Sequence, residues 1–426
     1  MKKRIFTFLV SIMMIGCLLF TGCSNDSVEI TSESKLNVET TEKESESNNK
    51  RTDTLVEVDE YITEEYSVQH SAEIIDYLNT NPTDNVIFSE TSLNMALSML
   101  YEGTDPESNA YLELMSYLDE SVYENDIESI RARNNWLINS YSQNNDLTIR
   151  LANSVWSDDA YTFNSEFSNA IQNYYNGEST SLSFNDENSA NIINQWCSDN
   201  TEGCIKKIVD SSNLANHQCM IMNALYFNGI WENPFTDNNC IEDEFTNADG
   251  SISTVTMMHD YDAGLYYSNE HAEAFMRYYE GHEIAFVGIL PRNEEFNLVD
   301  LDIDSLLASG NGNYQVHAIM PSFVVEDNNS LLPVLNEQLP DSMTAVYPNI
   351  LNEEPTIVSE IIQMTYVDVN PEGTEAAAVT SIGMKTTSAE TEPLQLVEIN
   401  LNRPFVFMIY DTLNHEVLFM GRINQL

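Results

Sequence analysis

The chain has 426 residues and carries 17 Lys+Arg against 68 Asp+Glu, a formal charge of −51 at pH 7. A surface of that sign repels phosphate and excludes an ordinary nucleic-acid binder. Hydrophobic residues at 42% and aromatics at 10% exclude a wholly disordered chain, and the length admits either several domains or one large domain built on a shared sheet.

At the N-terminus Met1-Lys2-Lys3-Arg4 is basic and 5–20 is apolar and uncharged. This is the pattern of a secretory signal, and the run is short of the ~20 residues a stable membrane span needs. Leu19-Phe20-Thr21-Gly22-Cys23 resembles the lipobox of bacterial lipoproteins, with Phe20 where those prefer an aliphatic residue. The resemblance implies that 1–22 is removed and that Cys23 is lipidated; an ordinary signal with a chance cysteine is the plainer alternative. Cys17 leaves too little apolar length before it to serve. From 24 to about 60 the chain is rich in Ser, Thr, Asn and Glu, with few large aliphatics and no aromatic residue, so it cannot build a core. Residues 23–61 are therefore expected to be a lipidated cysteine and a flexible acidic tether with a reach of roughly 30 to 35 Å. The expected location is the outer face of a bacterial membrane or cell surface, with the lipid as the only membrane contact.

Residues 62–426 hold no long linker, repeat or low-complexity block and read as one domain. Helical periodicity marks 71–78, 92–101, 165–174 and 189–197. Strand-like runs follow at 147–155, 220–227, 283–290, 315–320, 363–369, 405–410 and 417–421. Helices and strands without a regular alternation predict an α+β fold with antiparallel sheets. Cys197, Cys204, Cys219 and Cys240 have no metal-site spacing, and the sequence leaves disulfides and buried thiols both open.

Catalytic constellations are scarce. The sequence has no G-x-S-x-G elbow, no H-E-x-x-H helix and no glycine-rich phosphate loop,. His282-Glu283 runs straight into the apolar segment 284–290 without a second histidine at ligand spacing, and reads as a strand start. Carboxylate pairs occur by chance in so acidic a chain. No enzyme, cofactor or metal is expected, and a surface hydrolase remains only as a reading with no motif behind it.

The informative stretch is 371–388. Read with period two, Thr374, Ala376, Ala378, Thr380, Ile382 and Met384 share one face, and Gly373, Glu375, Ala377, Val379, Ser381, Gly383 and Lys385 the other,. Small or apolar groups are thus separated from polar ones, as a strand facing a core requires. An exposed alanine-rich loop is the plain alternative.

Glu372-Gly373-Thr374-Glu375-Ala376-Ala377-Ala378, with Val379 and Thr380 after it, resembles the hinge of the reactive-centre loop in serpins. Asn85-Val86-Ile87-Phe88-Ser89 with Ser92 and Leu97 resembles the family's buried strand and following helix. Asn223-Ala224-Leu225-Tyr226-Phe227-Asn228-Gly229-Ile230-Trp231, then Pro234-Phe235, resembles its central strand and the turn above it. Asn402-Arg403-Pro404-Phe405-Val406-Phe407 and Leu418-Phe419-Met420-Gly421-Arg422-Ile423 resemble the C-terminal strand pair. The resemblance implies a large, mainly antiparallel central sheet, further sheets, helices and an exposed loop. Ser89, Ser92, Asn223 and Gln363 fall in the region where that sheet opens. The chain departs from the family at Glu90 (usually proline), Gln363 (usually histidine), Pro371 (usually glutamate) and Val379 (usually alanine). Hydrogen bonding in the opening region is expected to differ, and Pro371 removes a charge and a backbone donor at the root of the loop.

The family's activity is suicide inhibition: a protease cuts the loop, and the freed hinge enters the sheet as a new strand before the acyl-enzyme is hydrolysed. Burying the inward side chains contributes only about 5 kcal/mol; new ladder hydrogen bonds, at roughly 1 kcal/mol each, add more. The family's hinge spacing places the scissile bond at Thr387-Ser388, which suits an elastase-like or subtilisin-like endopeptidase; Lys385, Met384 and Thr386 are alternative bait residues. A monomer is expected. A non-inhibitory surface binding protein on the same fold is the alternative that Pro371 and Gln363 keep open.

Overall fold

A computed structural model describes residues 68–81, 83–121, 127–144, 146–328, 330–374 and 394–426. The signal and tether expected at 1–61, with Cys17 and Cys23, lie outside the described residues. So do Glu375, Ala376, Ala377, Ala378, Val379, Thr380, Ile382, Met384, Lys385, Thr386, Thr387 and Ser388.

The helices are α1 (Gln69–Leu78), α2 (Glu90–Tyr101), α3 (Asn109–Ser121), α4 (Ile127–Ser142), α5 (Ser165–Tyr175), α6 (Glu187–Asn200), α7 (Ser211–Leu214), α8 (Ile303–Ala308), α9 (Leu332–Gln338) and α10 (Pro340–Met343). The first strands are β1 (Val86–Phe88), β2 (Leu147–Asp158), β3 (Glu178–Leu182), β4 (Cys219–Ile230), β5 (Cys240–Thr246), β6 (Ile252–Ala263), β7 (Tyr266–Ser268) and β8 (Ala272–Tyr278). They are followed by β9 (Ile284–Pro291), β10 (Tyr314–Pro321), β11 (Phe323–Asp327), β12 (Val358–Val369), β13 (Gly373–Thr374), β14 (Gln395–Asn400), β15 (Phe405–Asp411) and β16 (Glu416–Ile423).

Three sheets result, with orders β11-β12-β13-β4-β2-β3, β1-β16-β15-β9-β8-β7 and β14-β10-β6-β5. The fold is α+β and most pairings are antiparallel. Antiparallel order is not universal, since β12–β4, β2–β3 and β10–β14 run parallel.

The central sheet is buried on both faces, which explains the almost unbroken apolar run of β4,. Met220, Met222 and Ala224 join Trp156, Ile193 and Trp196 in a cluster under α6. Cys219, Ile221, Leu225 and Phe227 face the main core. Helix α2 is buried along its whole length and starts where Ser89, in extended backbone, accepts a hydrogen bond from the Ser92 amide at 3.1 Å, an N-cap that satisfies an otherwise orphaned donor. Asn164 and Asp186 cap α5 and α6 in the same way. All four described cysteines are free thiols, and burial pushes those of Cys197 and Cys219 up to about 12, so both are inert packing groups.

Candidate functional site

The hinge begins in a tight reversal. Val369 ends β12 and pairs with Thr374, so Asn370-Pro371-Glu372-Gly373 turns the chain back on itself. Asn370 donates its amide to the Gly373 carbonyl at 2.9 Å, and its side-chain oxygen accepts from the amides of Glu372 (3.0 Å) and Gly373 (3.2 Å). Proline at the second place of such a turn presets the backbone and needs no amide donor. The donor lost at Pro371 therefore costs this turn nothing.

Three groups beyond the turn grip it. Trp231 donates its amide to the Glu372 carbonyl at 3.0 Å and Phe235 donates its own to the Pro371 carbonyl at 2.9 Å. The Trp231 indole donates to the Asn370 carbonyl at 2.9 Å. Trp231 stacks on Tyr279 with centroids 4.4 Å apart, and the Arg277 guanidinium lies 3.9 Å from the Phe235 ring centre. Arg277 is ion-paired to Asp260 and donates to the Asn233 carbonyl, so the turn that holds the loop root is braced from β8 and β6.

Strand β13 consists of Gly373 and Thr374, antiparallel to both neighbours: Thr374 pairs with Val369 of β12 and Gly229 of β4, and Gly373 with Ile230. Direct parallel pairing of β12 with β4 runs as far as Thr365↔Leu225; beyond it the two strands continue with β13 paired between them. A side chain on Gly373 would place its Cβ 2.0 Å from the Gly229 carbonyl oxygen, so only glycine allows this approach. Thr374 is fully buried and its hydroxyl shares a 2.6 Å hydrogen bond with the Tyr279 hydroxyl.

Deeper in the sheet, Gln363 of β12 stands in register with Asn223 of β4. Its side-chain oxygen accepts from the Ser89 amide at 2.9 Å and its amide donates to the Ser89 carbonyl at 2.6 Å. The Ser92 hydroxyl donates to Asn223 Oδ1, and Asn223 donates on to Asn153 Oδ1 at 2.6 Å. One turn at the start of α2 thus ties down both strands, Gln363 through Ser89 and Asn223 through Ser92. Ser89, Ser92, Asn223 and Gln363 are brought together, all buried.

Glu90 is buried beside them. It accepts from Ser71 and pairs with His70 Nδ1 at 3.0 Å. Burial works against a charge on His70, but the hydrogen bond and charge of Glu90, with the contact to Gln338, raise it above the ordinary histidine value. His70, Ser71 and Tyr279 were not legible as site residues: each meets its partner only through tertiary packing, and no local spacing announces them.

The described hinge residues are Glu372, Gly373 and Thr374; the remaining hinge and bait positions lie outside the described residues. Compared with known proteins, the chain matches the family model described as Serpin (serine protease inhibitor) over residues 71–426. It is 28% identical to an uncharacterized serpin-like protein of Methanosarcina mazei over 81% of this chain and 82% of that protein. It is 29% identical to leukocyte elastase inhibitor A of Mus musculus over 82% of this chain and 96% of that protein. Among solved structures it is similar to the thermophilic serpin tengpin in the native state, with a TM-score of 0.72 at 23% identity over 84% of this chain and 94% of that one.

Proposed function

This chain belongs to the serpin family, whose members are protease inhibitors rather than enzymes, and from that premise we propose that it is an inhibitory serpin. It would trap a serine or cysteine endopeptidase by forming an acyl-enzyme and inserting its own loop into the central sheet. The observation that carries this reading is β13, where Gly373 and Thr374 are paired on both edges between β12 and β4. The first step of strand addition therefore already has its register.

Extended in that register, Ala376 falls opposite Phe227 and Val367, Ala378 opposite Leu225 and Thr365, and Thr380 opposite Asn223 and Gln363. Insertion to Thr380 thus has to part the two residues that α2 holds together. Neighbouring strands lie about 4.8 Å apart, and admitting one more roughly doubles the gap. Ser89 and Ser92 cannot follow both strands, so at least one of their ties breaks. The small inward residues of the hinge let the strand enter without steric delay, which matters because insertion races hydrolysis of the acyl-enzyme.

The scissile bond is Thr387-Ser388 in this reading, with Met384, Lys385 and Thr386 as neighbouring bait positions. The target is an elastase-like or subtilisin-like endopeptidase; the name of the mouse relative, leukocyte elastase inhibitor A, supports that class. Cys23 would anchor a monomer to the outer face of a bacterial membrane or cell surface through 23–61.

The test mixes residues 62–426 with elastase-like, subtilisin-like and trypsin-like proteases and analyses the products by denaturing gel and mass spectrometry. A denaturation-resistant adduct with release of the peptide beginning at Ser388 is expected. Clean cleavage with no adduct for any protease would instead assign the fold to a non-inhibitory binding role.

A further inference from the structure

The sheet β14-β10-β6-β5 carries a histidine pair that the inhibitory reading does not use. His259 of β6 and His317 of β10 approach each other across the strand gap, with Nδ1 of His259 3.2 Å from Nε2 of His317. On its far side His317 Nδ1 lies 3.0 Å from Glu398 Oε2 of β14. A carboxylate can only accept, so this contact places the His317 proton on Nδ1 and turns the Nε2 lone pair toward His259. The Tyr261 ring stacks on His317 with centroids 4.3 Å apart and planes within 11°, fixing its orientation. The His259 carbonyl accepts from Asn239 at 3.1 Å, which holds β6 at that residue.

We propose that His259 and His317 form a binding site for a divalent transition metal of the imidazole-preferring class, zinc being the reference ion. Tetrahedral zinc with bonds of about 2.0–2.1 Å sets two ligand nitrogens about 3.3 Å apart, close to the separation already present. A neutral His259 needs only to carry its proton on Nε2 for Nδ1 to coordinate, so metal entry requires no net proton release. The hydrogen bond from His317 Nδ1 to Glu398 is the outer contact that usually orients a ligating histidine and raises its basicity, which makes Glu398 a positioning residue.

Among the described residues no group of three or more His, Cys, Asp or Glu is arranged around a metal position. The remaining ligands of such an ion would be water. Two imidazoles select zinc, copper or nickel over calcium and magnesium, which prefer oxygen. A bound ion would cross-link β6 to β10 and, through Glu398, steady β14, the edge strand that follows residues 375–393.

Zinc is titrated into the full chain by calorimetry in millimolar calcium and magnesium, which saturate the many surface carboxylates. One micromolar zinc equivalent is expected. It should weaken at least tenfold in His259→Gln or His317→Gln, disappear in the double variant, and weaken about tenfold in Glu398→Gln. Independently of any variant, zinc should slow hydrogen exchange in peptides covering both β6 and β10 of the unmodified protein. Zinc binding that persists unchanged in the double variant, or exchange in β6 and β10 that is indifferent to zinc, would overturn the proposal.

Discussion

Gln363 closes a two-way clasp on the backbone of Ser89, accepting from its amide at 2.9 Å and donating to its carbonyl at 2.6 Å. For the Ser89 amide a side chain of the sheet thereby takes the place of a backbone partner, while the Ser89 carbonyl also accepts from the Leu93 amide at 3.1 Å. The neighbouring tie from Ser92 to Asn223 adds a side-chain brace across β12 and β4 to their backbone pairing.

Gln363→Ala should lower native stability by about 1–3 kcal/mol, because it leaves the buried Ser89 amide unpaired; the Ser89 carbonyl keeps the Leu93 amide as a donor,. It should also speed uptake of a synthetic peptide of sequence 374–387 into the sheet, because one tie opposing strand separation is gone. Thermal unfolding and peptide annealing measured on the same variant check both; a destabilised variant with unchanged annealing would place the barrier elsewhere.

Gly373→Ala drives a methyl group into the Gly229 carbonyl. Backbone on both sides leaves little room for relief, so the expected result is expulsion of β13 at a cost of about 1–3 kcal/mol. Faster hydrogen exchange at Thr374 and Gly229, with little change in the sheet paired below Thr365, would register it. Exchange rates that stay as they are would contradict the pairing.

Thr374→Arg puts an unpaired charge where a fully buried hydroxyl meets Tyr279. Several kcal/mol are at stake, and two readouts should move together. The melting temperature of the intact protein falls because Thr374 is in the sheet before any cleavage, and the protein is cut as a substrate instead of forming a stable adduct. An adduct yield equal to the unmodified protein's would mean that insertion follows another register.

The pH dependence has a definite sign at His70. Its folded-state pKa lies above the ordinary value, so its contribution to stability is complete below about pH 6.5 and is lost as pH rises through the folded value. Unfolding free energy compared between the unmodified protein and His70→Asn, from about pH 5.5 to about pH 8, should converge toward the alkaline end. Parallel curves would show that the ring does not titrate in this range.

Much of the architecture was readable in the chain because its elements are periodic. The runs at 147–155, 220–227 and 405–410 are long enough for a period of two or an unbroken apolar stretch to stand out, and β2, β4 and β15 cover them. The sequence pattern gives no sign of helices α3 and α4. Asn134, Asn135, Asn139, Arg131 and Arg133 break up the apolar stripe of α4, and two of these, Arg133 and Asn134, are buried by tertiary partners. The pair β5 and β6 leaves no such mark either, since β5 exposes nearly every residue and offers no alternation to read.

The small-residue hinge and the residue types at the opening region are written in the sequence alone, because they are local chemistry. Folding in three dimensions sets the rest: the Asn370-Pro371-Glu372-Gly373 turn, Gly373 and Thr374 lying between β12 and β4, Gln363 answering Ser89, and Glu90 answering His70. Register across a sheet, and the pairing of buried polar groups, are set by contacts between residues hundreds of positions apart or on separate elements. Such a pair is fixed by the shape of the space it closes, and that shape exists only once the chain has folded.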